Sequence, residues 1–154
     1  MQAAIRAFKG VPHRLQTVAE RNGVVYVDDS IATAPERSIA ALRAYDEPLV
    51  LVAGGRDKHL PMDEWAKLIV RRVKHVVLLG EMSELVARAL HDADAGYTAI
   101  SWANSMDEAV TQAAAVASSG DVVLLSPGGT SYDMYADFEA RGRDFGRAAE
   151  ELDR

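Results

Sequence analysis

Five short β-rich runs recur along the chain: residues 23–28 (GVVYVD), 49–53 (LVLVA), 75–79 (HVVLL), 97–102 (YTAISW) and 121–125 (DVVLL). Three of them are almost continuously apolar, the pattern of a strand covered on both faces. Helical periodicity fills the gaps. Residues 35–45 set Ile39, Leu42 and Tyr45 to one side, and Pro35 suits a first helical turn. Residues 61–73 carry Trp65, Leu68 and Ile69 at helical spacing. Ser105 and Glu108 have the S-x-x-E form of a capping box ahead of an alanine-rich helix. A last helix, from about Ser131, aligns Tyr135, Phe138, Phe145 and Leu152 on one stripe. This alternation predicts an α/β fold, a Rossmann-like three-layer domain around a mostly parallel sheet of about six strands. Residues 15–20 (LQTVAE) alternate in polarity instead and read as an extra edge strand that could run antiparallel.

A chain of 154 residues suits one domain with a full-sized core, here spanning 1–154. Its net charge of −6 argues against a nucleic-acid surface, which needs a concentrated basic field. The absence of cysteine excludes disulfides, thiolate metal sites and thiol nucleophiles. No apolar run approaches a membrane span, and the N-terminal MQAAIRAFKG lacks the apolar block of a signal peptide, so a cytoplasmic domain is expected.

Ligands of parallel sheets sit beyond the carboxyl ends of the strands, so the loops after the strands are where chemistry is expected. The first carries Asp28 and Asp29, suited to ribose hydroxyls, a metal or water, and Thr33, which could meet a ligand or cap the helix through Thr33-x-x-Glu36. The second, AGGRDKH, places Arg56 and Lys58 at the rim, either as anion partners or as solvated charges. The last, Gly128-Gly129-Thr130-Ser131, offers backbone donors and hydroxyls at an expected helix start, an anion-friendly arrangement, with simple capping by Ser131 as the alternative. Neither G-x-x-x-x-G-K-[ST] nor G-x-G-x-x-G occurs, so no nucleotide-phosphate cradle is legible. His59, His75 and His91 lack metal-ligand spacing, His13 reads as surface, and Phe138, Trp65 and Trp102 read as packing residues.

Five blocks, FKGVPHRLQ, DDSIATAPERSIAAL, VAGGRDK, LLGE and GDVVLLSPGGTSYDMYADFEARGRDF, resemble in order and spacing the C-terminal domain of the Mur ligases, in particular their glutamate-adding branch. The resemblance covers essentially the whole chain. It implies an ATP-dependent ligase that joins glutamate to UDP-N-acetylmuramoyl-L-alanine through an acyl phosphate, in peptidoglycan precursor synthesis. Such enzymes use ATP and Mg2+, held mainly by a central ATPase domain that, like the UDP-binding domain, is not in this sequence. The chain is therefore expected to be an excised domain, with Met1 an added or fortuitous start, inactive alone and without a tightly bound cofactor or metal. By the same resemblance Lys58, Ser131, Tyr132, Phe138 and Thr33 bind glutamate, while Asp29, Arg14 and His13 face the nucleotide. Two positions depart from the family pattern: Ile31 stands where a lysine is usual, and Asp28 where an asparagine is usual. The alternative reading is a stand-alone Rossmann-like module that binds a nucleotide or amino acid without catalysis.

Overall fold

The computed structural model describes residues 10–152. Met1, Phe8 and Lys9, on which the readings of the N-terminus and part of the first matching block rest, lie outside the described residues.

Among the described residues, six strands form one sheet in the order β1-β2-β6-β3-β4-β5. They are β1 (Gln16–Arg21), β2 (Val24–Asp28), β3 (Leu49–Gly54), β4 (Val73–Leu79), β5 (Ile100–Ala103) and β6 (Val122–Gly128). Only β1 pairs antiparallel, with β2; the other four pairings are parallel. Among the described residues there are five helices, four that connect strands, α1 (Pro35–Arg43), α2 (Asp63–Arg72), α3 (Ser83–Ala93) and α4 (Met106–Val116), and α5 (Phe138–Glu150), which follows β6.

The central strands are buried on both faces, which is why they lack polar alternation in the sequence. Val25, Val27, Leu51 and Leu124 pack with Leu42 of α1, Trp65 and Ile69 of α2, and Val86 and Leu90 of α3. Val24, Tyr26, Val50, Val52 and Val123 pack on the opposite face with Val110 of α4 and Phe145 of α5. The sheet is thus the middle of three layers, as expected. Each fully buried large aliphatic or aromatic side chain contributes about 1.5–3 kcal/mol relative to exposure.

Several boundaries differ from the sequence reading. β5 begins at Ile100 because 94–98 turn, with Tyr97 N–H on Asp94 O and the Tyr97 hydroxyl donating to Val73 O. The last helix begins at Phe138, with Asp137 as its cap, rather than near Ser131. Trp65 is buried as expected, but Trp102 is 49% exposed on the edge strand β5. No helix among the described residues is long and apolar enough to cross a membrane.

Candidate functional site

The chain leaves β3 toward α2 on one face of the sheet and leaves the neighbouring β6 toward α5 on the other. Diverging connections from adjacent parallel strands open a crevice at their carboxyl ends. β1 adds to this rim because it runs antiparallel: the pairing Gln16↔Asp28 sets the start of β1 against the end of β2, so 13–15 join the loops after the parallel strands.

Much of the crevice floor is closed by backbone. Arg56 and Thr130 exchange two hydrogen bonds, Arg56 N–H to Thr130 O at 2.9 Å and Thr130 N–H to Arg56 O at 3.0 Å. Such close approach needs Gly129, where a Cβ would meet Gly54 O and Arg56 O at 2.9 Å, and Gly128, whose φ of +78° favours glycine. The loop after β4 joins through Asp133 Oδ2, which accepts from Glu81 N–H at 3.0 Å. α5 starts only at Phe138, with Asp137 accepting from Ala140 N–H at 2.8 Å, so the chain behind Ser131 makes a single turn, Ser131 O accepting from Met134 N–H and Tyr135 N–H, in place of the helix start expected there.

Above this floor, Lys58 reaches from the loop after β3 to the loop after β2, with Nζ 3.4 Å from Thr33 Oγ1. Thr33 is not the cap of α1: Ala34 holds that position and no side chain caps it, while Pro35 takes the first turn as expected. Arg56, the other cation of the loop, is paired with Glu81 at 3.0 Å across the exposed rim. Ser131 is buried at 2% exposure and Tyr132 projects at 63%. Thr130 Oγ1 is buried with no hydrogen-bond partner.

The second cluster gathers His13, Arg14, Asp28, Asp29 and Phe138. His13 is not a surface residue: its Nδ1 lies 2.6 Å from Asp28 Oδ2, and its ring meets Phe138 edge-on at 6.2 Å. Phe138 is only half-buried and belongs to this contact rather than to the apolar core. Asp29 points inward, accepting from Leu15 N–H at 3.2 Å and the Ser126 hydroxyl at 2.8 Å. Burial is the main reason its carboxyl is pushed up to about 6, and the neighbouring Asp28 charge adds to it. Arg14 is exposed. Lys58 and Thr33 are thus brought together, and so are His13 and Phe138, in two separate contacts. Among the described residues no three acidic or histidine side chains converge to hold a metal ion.

One organising residue had no role in the sequence reading. Arg141 of α5, 4% exposed, donates from Nε to Ser30 Oγ at 2.9 Å, from one terminal nitrogen to Ser30 O at 2.8 Å, and from the other to Gly129 O at 3.1 Å. Ser30 Oγ in turn donates to Phe138 O at 2.7 Å. Burial lowers the Arg141 pKa to about 10. In the sequence it stands as an arginine within an otherwise apolar helical stripe, inside the last of the five matching blocks.

Residues 13–129 match the family described as Mur ligase, glutamate ligase domain. The chain is 45% identical over 151 residues to the UDP-N-acetylmuramoylalanine--D-glutamate ligase of Roseiflexus sp. (strain RS-1), covering 97% of this chain and 32% of that protein. It is 44% identical over 142 residues to the enzyme of the same name from Pelotomaculum thermopropionicum, covering 92% and 31%. It therefore spans about a third of the length of the curated relatives it matches. Among solved structures, it resembles the UDP-N-acetylmuramate-alanine ligase MurC of Thermotoga maritima, with a TM-score of 0.61 at 16% identity over 96% of this chain and 32% of that one. It also resembles the MurF ligase of Thermotoga maritima in complex with ADP, with a TM-score of 0.58 at 20% identity over 94% and 33%. The fold, the match over 13–129 and the identity along nearly its full length mean that this chain belongs to the Mur ligase family, as its glutamate ligase domain.

Proposed function

We propose that the chain is the amino-acid-binding, C-terminal domain of an ATP-dependent ligase that adds glutamate to UDP-N-acetylmuramoyl-L-alanine in the cytoplasm, during peptidoglycan precursor synthesis. The UDP-binding and ATPase domains belong to the remaining length of such a protein. The observation that carries this reading is Lys58 bridging to Thr33 at the crevice, in a chain 45% identical to a D-glutamate ligase.

In this reading Lys58 and Thr33 take one carboxylate of glutamate, while Ser131, the backbone at Tyr132, and Phe138 line the space for the rest of the side chain. A charge-assisted contact of this kind contributes about 1.5–3 kcal/mol. The amino group is left neutral and unencumbered. Its nitrogen attacks the acyl phosphate carbon and forms the C–N bond in a tetrahedral intermediate, which collapses as the C–O bond to phosphate breaks and inorganic phosphate leaves with the electron pair. The amine proton passes to solvent or a base outside this chain. The domain's contribution is to hold the nucleophile in line, an orientation effect worth up to about 7–11 kcal/mol in ideal cases. Arg14, with His13 and Asp29 behind it, faces the ATP side. ATP and Mg2+ are held chiefly by the other domains, and Mg2+ supplies charge neutralisation of the transferring phosphoryl group.

Titrating the 15N-labelled chain with D-glutamate to tens of millimolar tests this, as an order-of-magnitude range for a site lacking its closing domains. Amides of Thr33, Lys58 and Ser131 are expected to shift together and saturably, and Lys58→Ala is expected to abolish the response. A titration that leaves all three in place would falsify the reading. The same experiment with L-glutamate decides the stereochemistry.

A further inference from the structure

We infer that Asp28, acting through His13, is a positioning residue that sets the exposed Arg14 guanidinium toward the polyphosphate of a nucleotide; the inference rests on the nucleotide-facing reading of Arg14 above.

Arg14 lies between two residues of left-handed backbone, His13 at φ 65° and Leu15 at φ 47°. For side-chain-bearing residues this costs about 1–2 kcal/mol each, so the segment keeps its shape only if it is tied down. The ties are present on both sides. His13 N–H donates to Gln16 Oε1 at 3.0 Å, His13 O accepts from Ile31 N–H at 3.2 Å, and Leu15 N–H donates to Asp29 Oδ1 at 3.2 Å. The shortest joins His13 Nδ1 to Asp28 Oδ2 at 2.6 Å. These four grip residue 13 or 15, Arg14 N–H donates to Val11 O at 3.2 Å, and only the Arg14 side chain is left exposed.

Asp28 is itself immobilised. It is 1% exposed and its other oxygen, Oδ1, accepts from Ser30 N–H at 2.9 Å. α5 closes over the pair with a glycine: a Cβ on Gly142 would overlap His13 Nδ1 and the Asp28 carboxylate. Two acceptor oxygens serve two donors here, and a carboxylate is the side chain that can do so. Asparagine offers one oxygen and an NH2. If that oxygen kept Ser30, the NH2 would face Nδ1 and force the imidazole to accept. Asp28 therefore selects the ring with its proton on Nδ1, in a charge-assisted bond about twice as strong as a neutral one.

The test uses the full chain, 15N-labelled, with inorganic tripolyphosphate as the probe, comparing the parent with Asp28→Asn and Gly142→Ala. In both variants the Arg14 and Leu15 amides are expected to lose order by heteronuclear NOE. The tripolyphosphate Kd, read from Arg14 Nε–H, is expected to rise about fivefold or more, or about 1 kcal/mol. In Asp28→Asn the His13 ring 15N shifts are expected to move the proton from Nδ1 to Nε2, which a loss of packing alone would not do. D-Glutamate shifts at Lys58 are expected to stay unchanged in both. A parent whose Arg14 shifts while both variants match it in order and affinity overturns the inference alone. A parent whose Arg14 does not respond to tripolyphosphate overturns the nucleotide-facing reading and the inference with it.

Discussion

Asp29 is buried and accepts hydrogen bonds from two neutral donors, Leu15 N–H and the Ser126 hydroxyl, so burial outweighs its stabilisation and its carboxyl titrates near 6 instead of 3.8. A raised carboxyl pKa means that the folded state holds its proton more tightly than the unfolded one. The associated stability is fully present below about pH 4, and it is lost as pH rises through about 6. The gap corresponds to about 3 kcal/mol at most. Asp29→Asn can keep both bonds, with its oxygen on Leu15 N–H and its NH2 on Ser126 Oγ. Urea unfolding is expected to show the stability difference, variant minus parent, growing by about 2 kcal/mol between pH 4 and 7. A difference that is flat across that range would mean that Asp29 ionises normally in the fold. The sequence placed Asp28 and Asp29 at a strand end correctly but left their direction open. Both turn inward because the start of β1, which lies antiparallel beside them, presents His13 and the Leu15 N–H as donors. A pairing between segments is not written in either segment alone.

At the scale of elements, legibility followed the physics of each signal. Apolar runs were legible as strands because burial on both faces, complete along β2, β3 and β6, leaves no room for polar alternation. The Ser105 cap was also legible, and the Ser105 side chain accepts from Glu108 N–H at 3.1 Å. Replacing Ser105 with Ala is expected to destabilise the chain by about 1 kcal/mol, measured as a lowered urea midpoint with unchanged slope. No loss would mean that the α4 terminus is satisfied by solvent alone. At two other positions the capping alternative does not hold. Thr33 and Ser131 are good capping residues by type, yet Thr33 faces Lys58 and the chain at 129–137 turns repeatedly before α5 begins. Asp137, six residues beyond Ser131, makes the cap instead. The zip between Arg56 and Thr130 holds that segment in place, and non-local backbone pairing of this kind overrides local propensity.

Across the whole molecule, Arg141 ties α5 to the loops after β2 and β6, and so couples the Asp28–His13 cluster to the floor beneath Lys58. Its three acceptors belong to Ser30 and Gly129, segments remote from each other in sequence. The planar fork of a guanidinium can serve all three at once, whereas the single ammonium of lysine cannot. Each buried acceptor left unpaired costs about 1–3 kcal/mol. Arg141→Lys is therefore expected to lower unfolding stability by about 2–3 kcal/mol, with the change concentrated at the rim. Amide exchange should accelerate at Thr130, Arg56 and Glu81, which rely on the joined loops, more than at Leu51 in the centre of β3. Uniform acceleration at all four would show Arg141 to be an ordinary stability determinant. Selective acceleration at the rim, with glutamate and tripolyphosphate responses weakened together, would show that one buried arginine holds the two clusters of the site as a unit. That arrangement suits the proposed reading, in which two sets of rim residues meet two different substrates in one fixed geometry.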